Sequence, residues 1–283
     1  MNLSILFATA LLAIPMTAIA EDHFDRTLNV DAQPDLYVST GSGNITLHAG
    51  SGNQIHIVGR VHAGWSAFGD INDRIQRIVQ SPPIVQDGNT VRVGEPTNHE
   101  LYNNISVDYD ITAPPSVALN LRSGSGDVTT EHLGRYLSAT SGSGEIRAHG
   151  VSGPAELATG SGDIELDELA AGDIKARTGS GNIRIHGLNG GLSARSGSGD
   201  IDATGHLSGN AVLSSGSGNV KLHLGSDARF NLEASTGSGD IRIHYPGAPE
   251  QTEHSRHHMT APINGGGPPL EVRTGSGDVE ISS

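Results

Sequence analysis

The tripeptide Gly-Ser-Gly occurs nine times in this chain, beginning at Gly41, Gly124, Gly142, Gly160, Gly179, Gly197, Gly216, Gly237 and Gly275. From Gly124 to Gly237 the copies lie 18, 18, 19, 18, 19 and 21 residues apart, and the last interval of 38 fits two periods with one degenerate copy. A fixed period of this length marks a stack of small supersecondary units, none of which can bury its apolar face alone. The flanks repeat as well. Ser or Thr precedes every copy, at Thr40, Ser123, Ser141, Thr159, Thr178, Ser196, Ser215, Thr236 and Thr274; Asn, Asp or Glu follows; Ile or Val comes next, from Ile45 to Val279.

Apolar residues around each copy alternate. Ile183 and Ile185 flank Arg184, and Leu192 and Ala194 flank Ser193. A period of two is a strand with one buried face. Each period therefore holds two short strands and two corners, the second at stretches such as His186-Gly187-Leu188 and Thr204-Gly205-His206. Corner glycines are expected to supply positive φ. The fold class that follows is all-β: a parallel β-solenoid, or β-helix, of short two-strand coils of 18–19 residues, stacked about 4.8 Å apart. Its inward column reads Ile146, Ile164, Ile183, Ile201, Val220, Ile241, faced by mixed pairs such as Leu137/Ala139 and Ala211/Leu213. With only 4% aromatic residues the interior must be thin and aliphatic.

Stacking turns sequence offsets into columns. The outward position after Ile/Val reads Arg147, Glu165, Arg184, Asp202, Lys221, Arg242, alternating in sign through five coils, and two residues on it reads His149, Asp167, His186, Thr204, His223, His244. Alternation favours register, since like charges in such a ladder repel. The same column carries metal-ligating residue types, and His149, Asp167 and His186 are the candidates it offers, although nothing in the spacing brings three ligands to one point. The Asp/Asn/Glu column is read as Asx turns, with the side chain accepting a backbone N–H at the corner, in preference to a Ca²⁺ site, because Asn replaces Asp freely. The Ser/Thr column points inward by parity, and its hydroxyls need partners in a neighbouring coil.

The organisation expected is a signal peptide at 1–20, a lead-in at 21–35, an irregular N-terminal β cap at 36–122, and a regular solenoid at 123–283 with a loop insertion at 245–269. Residues 3–19 are almost wholly apolar and end in Ala18-Ile19-Ala20, the small-x-small pattern of a cleavage site. The protein is thus expected to be exported, to the periplasm or the cell surface, with no membrane span left after cleavage. In the cap, Ile71, Ile75 and Ile78 predict a short amphipathic helix near Trp65, with Asp70 as N-cap and Pro82-Pro83 beyond it. The insertion carries His254, His257 and His258, a second metal candidate. Val279 and Ile281 close the chain with no evident cap, so end-to-end self-association is an expectation too.

The Thr/Ser-Gly-Ser-Gly-Asp/Asn-Ile/Val copies, with the lead-in Val107-Asp108-Tyr109-Asp110-Ile111-Thr112-Ala113-Pro114 running into Leu119-Asn120-Leu121-Arg122-Ser123-Gly124, resemble a bacterial family whose members carry the name "putative adhesin", a domain of unknown function built of β-strand repeats. The resemblance spans roughly residues 25–283 and implies the solenoid fold and a surface role; the family supplies no catalytic residues to carry over. A net charge of −14 opposes a nucleic-acid partner. No Ser-His-Asp signature or aromatic cleft is present, and no cofactor is expected. The reading is of a non-catalytic envelope or surface protein, an adhesin or scaffold that binds through its long faces to a cell-surface glycan or envelope protein. The alternative is a metal- or glycan-binding protein that uses its His-bearing faces or the 245–269 loop.

Overall fold

The structure, a computed structural model, describes residues 22–64, 70–94, 99–168, 170–248 and 256–283. The segment read as a signal peptide, Trp65 and His254 lie outside the described residues. The chain begins with β1 (His23–Asn29), β2 (Asp35–Thr40), β3 (Ile45–Ala49), β4 (Gln54–Ala63), helix α1 (Ile71–Gln80), β5 (Ile84–Asp87), β6 (Thr90–Val93) and β7 (Ile105–Ala113). It continues with β8 (Ala118–Ser123), β9 (Val128–Glu131), β10 (Tyr136–Ser141), β11 (Ile146–Val151), β12 (Ala155–Thr159), β13 (Ile164–Glu168), β14 (Ile174–Thr178), β15 (Ile183–Ser196), β16 (Ile201–Ser215) and β17 (Val220–Leu224). It ends with β18 (Phe230–Thr236), β19 (Ile241–His244), β20 (His258–Ile263), β21 (Pro269–Thr274) and β22 (Val279–Ser282).

Strands that precede a Gly-Ser-Gly corner stack in parallel on one wall, here wall A; strands that follow it stack on the opposite wall, wall B. In β15 and β16 the strand runs continuously through the second corner, so each serves both walls, with register shifts at Ile185/Leu188 and Gly190/Leu192. The inward column is fully or almost fully buried, from Ile146 at 0% to Ile241 at 3% exposure, as the alternation predicts. Among the described residues the buried aromatics sit where the stack closes. Phe24 packs edge-on to Tyr109 at one end, ring centroids 6.4 Å apart, and Phe230 on Tyr245 at the other, 5.4 Å apart. Between those ends the interior is aliphatic, because two walls this close leave no room for a ring.

Spatial order departs from chain order at both ends. The coil β2–β3, early in the chain, lies between β6–β7 and β8–β9. The last coil, β21–β22, lies between the β16/β17 coil and β18–β19. Among the described residues the long final interval therefore shows no degenerate coil. It holds β20, which pairs antiparallel with β18 and closes wall A. Val279 and Ile281 do not sit on an open end either: both are fully buried and flanked on both sides. At the opposite end β5 lies antiparallel on β6, β4 on β7 and β1 on β4. Antiparallel strands thus cover the parallel stack at these edges.

Helix α1 forms as its spacing predicts, with Ile75 and Ile78 buried. Asp70 occupies the N-cap position, but its side chain makes no capping hydrogen bond. Its carboxylate instead lies 3.9 Å from Arg74.

Candidate binding faces

The Gly-Ser-Gly corners are held by two ladders. In all nine copies the Ser/Thr hydroxyl accepts the N–H of the second glycine of its own corner, as Ser196 does from Gly199 at 2.8 Å. The same hydroxyl donates to a carbonyl of the adjacent coil, as Ser196 does to Gly181 at 2.9 Å. The inward hydroxyls thus find the neighbouring-coil partners that burial demands. His257 ends this ladder: the last free carbonyl, Gly239, accepts from its Nδ1 at 2.9 Å. Arg256 beside it takes the Ile241 N–H at 2.9 Å, so the two residues imitate the corner of a further coil.

The Asp/Asn column makes the second ladder, and here the expected Asx turn is corrected. Each Oδ1 accepts the N–H of the equivalent residue in the next coil, not one in its own corner: Asp200 donates to Asn182 at 2.9 Å, Asn219 to Asp200 at 2.7 Å, Asp278 to Asn219 at 2.9 Å, and Asp240 to Asp278 at 2.9 Å. Asp and Asn exchange freely because both present that oxygen. Asp108, in a coil without Gly-Ser-Gly, joins by accepting from Asn44 at 2.8 Å. Burial pushes the Asp163 carboxyl up, but the Asn182 amides and Arg184 outweigh it and hold the carboxyl below its ordinary value.

The glycines of this corner do not have positive φ; that conformation belongs to the second corner, at Gly187 (76°) and Gly205 (145°). In the Gly-Ser-Gly corner close stacking is the constraint. A Cβ on Gly181 would stand 1.9 Å from the Gly162 carbonyl oxygen.

On wall B the true order of coils completes the charge column. Arg147, Glu165, Arg184, Asp202, Lys221, Glu280 and Arg242 follow one another in register, so Glu280 separates the two cations adjacent in sequence order. The guanidiniums reach mostly to the corner column, Arg184 to Asp163 at 3.4 Å and Arg242 to Asp278 at 2.7 Å. Exposed pairs of this kind contribute about 0–1 kcal/mol each.

The histidine column also grows. His56, His48, His149, His186, His223 and His244 occupy every second strand of wall B, separated by Thr112, Glu131, Asp167, Thr204 and Ser282. Successive imidazoles are thus about 9.6 Å apart along the stack, two strand spacings. Of the sequence candidates, His149 bonds Asp167 at 2.7 Å, while His186 turns to Thr204 at 3.3 Å. His258 stands exposed at the start of β20. Among the described residues no three His, Asp or Glu side chains converge as a metal site would require.

Wall A carries a column that sequence reading passed over, the residue just before each Ser/Thr. In register it runs Ser39, Arg122, Thr140, Ala158, Arg177, Arg195, Ser214, Arg273, Ser235. Arg273 contacts Glu233 at 3.2 Å and Glu271 at 2.9 Å. Lys175, two residues before Arg177, is held by Glu156 at 2.6 Å. Arg177 and Arg195 are register partners on neighbouring strands, and neither side chain has a hydrogen bond or ion pair among the described residues. Ser138, Thr140, Ala158 and Arg177 border a shallow depression beside them.

One acid lies apart from both walls. Glu168, at the second corner, is 8% exposed; its Oε2 accepts the Asn189 N–H at 3.0 Å and its Oε1 has no hydrogen-bond partner among the described residues. Burial, with a smaller push from Asp173 and against the pull of the Asn189 N–H, raises this carboxyl to about 7.

Three comparisons place the chain. No curated protein matches it. Among solved structures it is similar to a "putative cell adhesion protein" of Clostridium sporogenes, at 10% identity and TM-score 0.28, covering 92% of this chain and 99% of the other. It is also similar to a "putative adhesin" of Bacteroides fragilis, at 12% identity and TM-score 0.37, covering 92% and 96%. A third is a "putative lipid binding protein" of Parabacteroides distasonis, at 13% and 0.34, covering 92% and 97%. The family description Toastrack DUF4097 matches residues 7–282. The chain, with its stacked Gly-Ser-Gly coils, belongs to that Toastrack family.

Proposed function

We propose that this protein is an exported, non-catalytic envelope or surface protein that binds an extracellular polymer along its long walls, as an adhesin or scaffold does. The observation that carries the reading is the form of the walls. Wall A spans twelve strands from β5 to β20, about 50 Å at the usual strand spacing. Its outward side chains recur at that spacing, which suits a long ligand held at many points. The apolar segment 3–19 with Ala18-Ile19-Ala20 supports export.

The reading is tested by fractionating cells that produce the full chain, sequencing the N-terminus of the exported form, and assaying retention of the purified protein on cell surfaces and immobilised glycans. A new N-terminus at Glu21 and saturable retention are expected. A chain that stays in the cytoplasm with Met1 intact, or an exported one retained by no surface polymer, overturns it.

A further inference from the structure

We infer that wall A holds an acidic glycan across Arg177 and Arg195, an inference that rests on the polymer-binding reading above and gives it a site. Like charges in direct register on neighbouring strands repel. This chain avoids them along wall B, where each cation of the Arg147 to Arg242 column has an acid beside it. Where wall A sets two acids in register, Glu233 and Glu271, one guanidinium, Arg273, lies within 3.2 Å of both. The Arg177–Arg195 pair is the mirror case, and its bridging group is an anion that the chain does not supply. Two arginines in register, with backbones one strand spacing apart, can bring both guanidiniums to one carboxylate or sulfate, which each can bind through paired N–H groups.

The surroundings narrow the class to a sugar. Thr140 offers a hydroxyl and Ala158 a low floor in the same column, and Glu156, which also lines the depression, is paired with Lys175 at 2.6 Å, so a ring can lie against the wall beside Arg177. Tyr136, 36% exposed at the start of β10, presents a ring on the same wall. An apolar ring face with a polar tip is the surface on which a sugar stacks. A net charge of −14 opposes a broad anionic surface such as a membrane more than a single sugar strand, which meets only the wall around Arg177 and Arg195 while more distant acids are screened.

The test measures binding of the full-length protein, by calorimetry, to oligogalacturonate, its methyl ester, a heparin oligosaccharide and phosphatidylglycerol vesicles. Binding to at least one acidic glycan is expected, weakening with salt, with none to the ester or the vesicles. Arg177→Ser with Arg195→Ser should weaken it at least about tenfold, while Lys221→Ser on wall B leaves it unchanged. Without ligand, Arg195→Ser should melt no lower than the wild type, since it removes a repulsion. Glycan binding that survives the double variant overturns this site but not the polymer-binding reading. Silence from both acidic glycans, equal binding of the ester, or binding to vesicles alone overturns the inference, and retention on neutral surface polymers would then decide the broader reading. A marked loss of stability in Arg195→Ser overturns it too, by showing that the arginines serve the fold.

Discussion

Glu168 should make the fold less stable as pH rises through neutrality. Its carboxyl ordinarily titrates at 4.5 and is lifted to about 7 in the folded chain. The folded state therefore holds the proton more tightly than the unfolded one. The resulting stabilisation is complete below the unfolded value and is lost as pH climbs through the folded value. Each tenfold change in proton affinity corresponds to about 1.4 kcal/mol, so the ceiling is about 3 kcal/mol. The structural cause is local: a buried Oε1 without a hydrogen-bond partner among the described residues, and Asp173 nearby. Glu168→Gln removes the charge and keeps the shape. Melting curves of both proteins from about pH 4.5 to 8.5 give the assay, and the variant-minus-wild-type difference is the readout, because every other group is common to both. The difference should lie near zero at the acid end and grow to several degrees above neutrality, at about 2–4 °C per kcal/mol. Exchange of the Asn189 amide, which Oε2 accepts, gives a local check. A difference that stays flat with pH, or shrinks as pH rises, refutes the reasoning.

Three further substitutions probe the stack. Gly181→Ala should cost about 3 kcal/mol or more, because its Cβ meets the Gly162 carbonyl at 1.9 Å; Gly41→Ala, with nothing within 4 Å, should be near neutral, and equal melting of the two would contradict the stacking constraint. Ser196→Ala removes both bonds of a buried hydroxyl and should cost about 1–3 kcal/mol, whereas Ser196→Thr keeps them and should melt like the parent; chemical denaturation distinguishes these outcomes. Lys221→Cys paired with Glu280→Cys should form a disulfide on mild oxidation, since residues in register on adjacent strands lie about 4.8 Å apart; ready crosslinking of Lys221→Cys with Arg242→Cys instead would overturn the inserted position of the last coil.

The coil itself is legible in the sequence because its determinants are local. Alternation set the inward faces, parity placed the Ser/Thr hydroxyls inside, and the recurring corner set the period. The order of coils at the ends is not local. The coils share one corner chemistry, so the corner does not specify which coil stacks on which. One signal for the C-terminal insertion was present: reading by chain order brings Lys221 against Arg242, the only break in an otherwise alternating column, and Glu280 is the residue that repairs it. His257 shows in the sequence only the residue type of a metal ligand, and its partner, a ladder carbonyl, has no local signal. Arg177 and Arg195 could have been found by applying the column logic to the position before each Ser/Thr.

These observations divide the work of the sequence between corner and wall. The Ser/Thr and Asx ladders bind any coil to any other, and so they supply adhesion between coils without specifying their order. Order must come from features that differ between coils: the charge column of wall B and the antiparallel strands that close the edges. Wall B's outward positions are therefore constrained by the fold, since reversing Glu280 would set three cations in register. Wall A carries less of that burden, for its register tolerates Ser, Thr, Ala and Arg in one column. On the binding site proposed above, the cation pair in register there serves a ligand and not the fold.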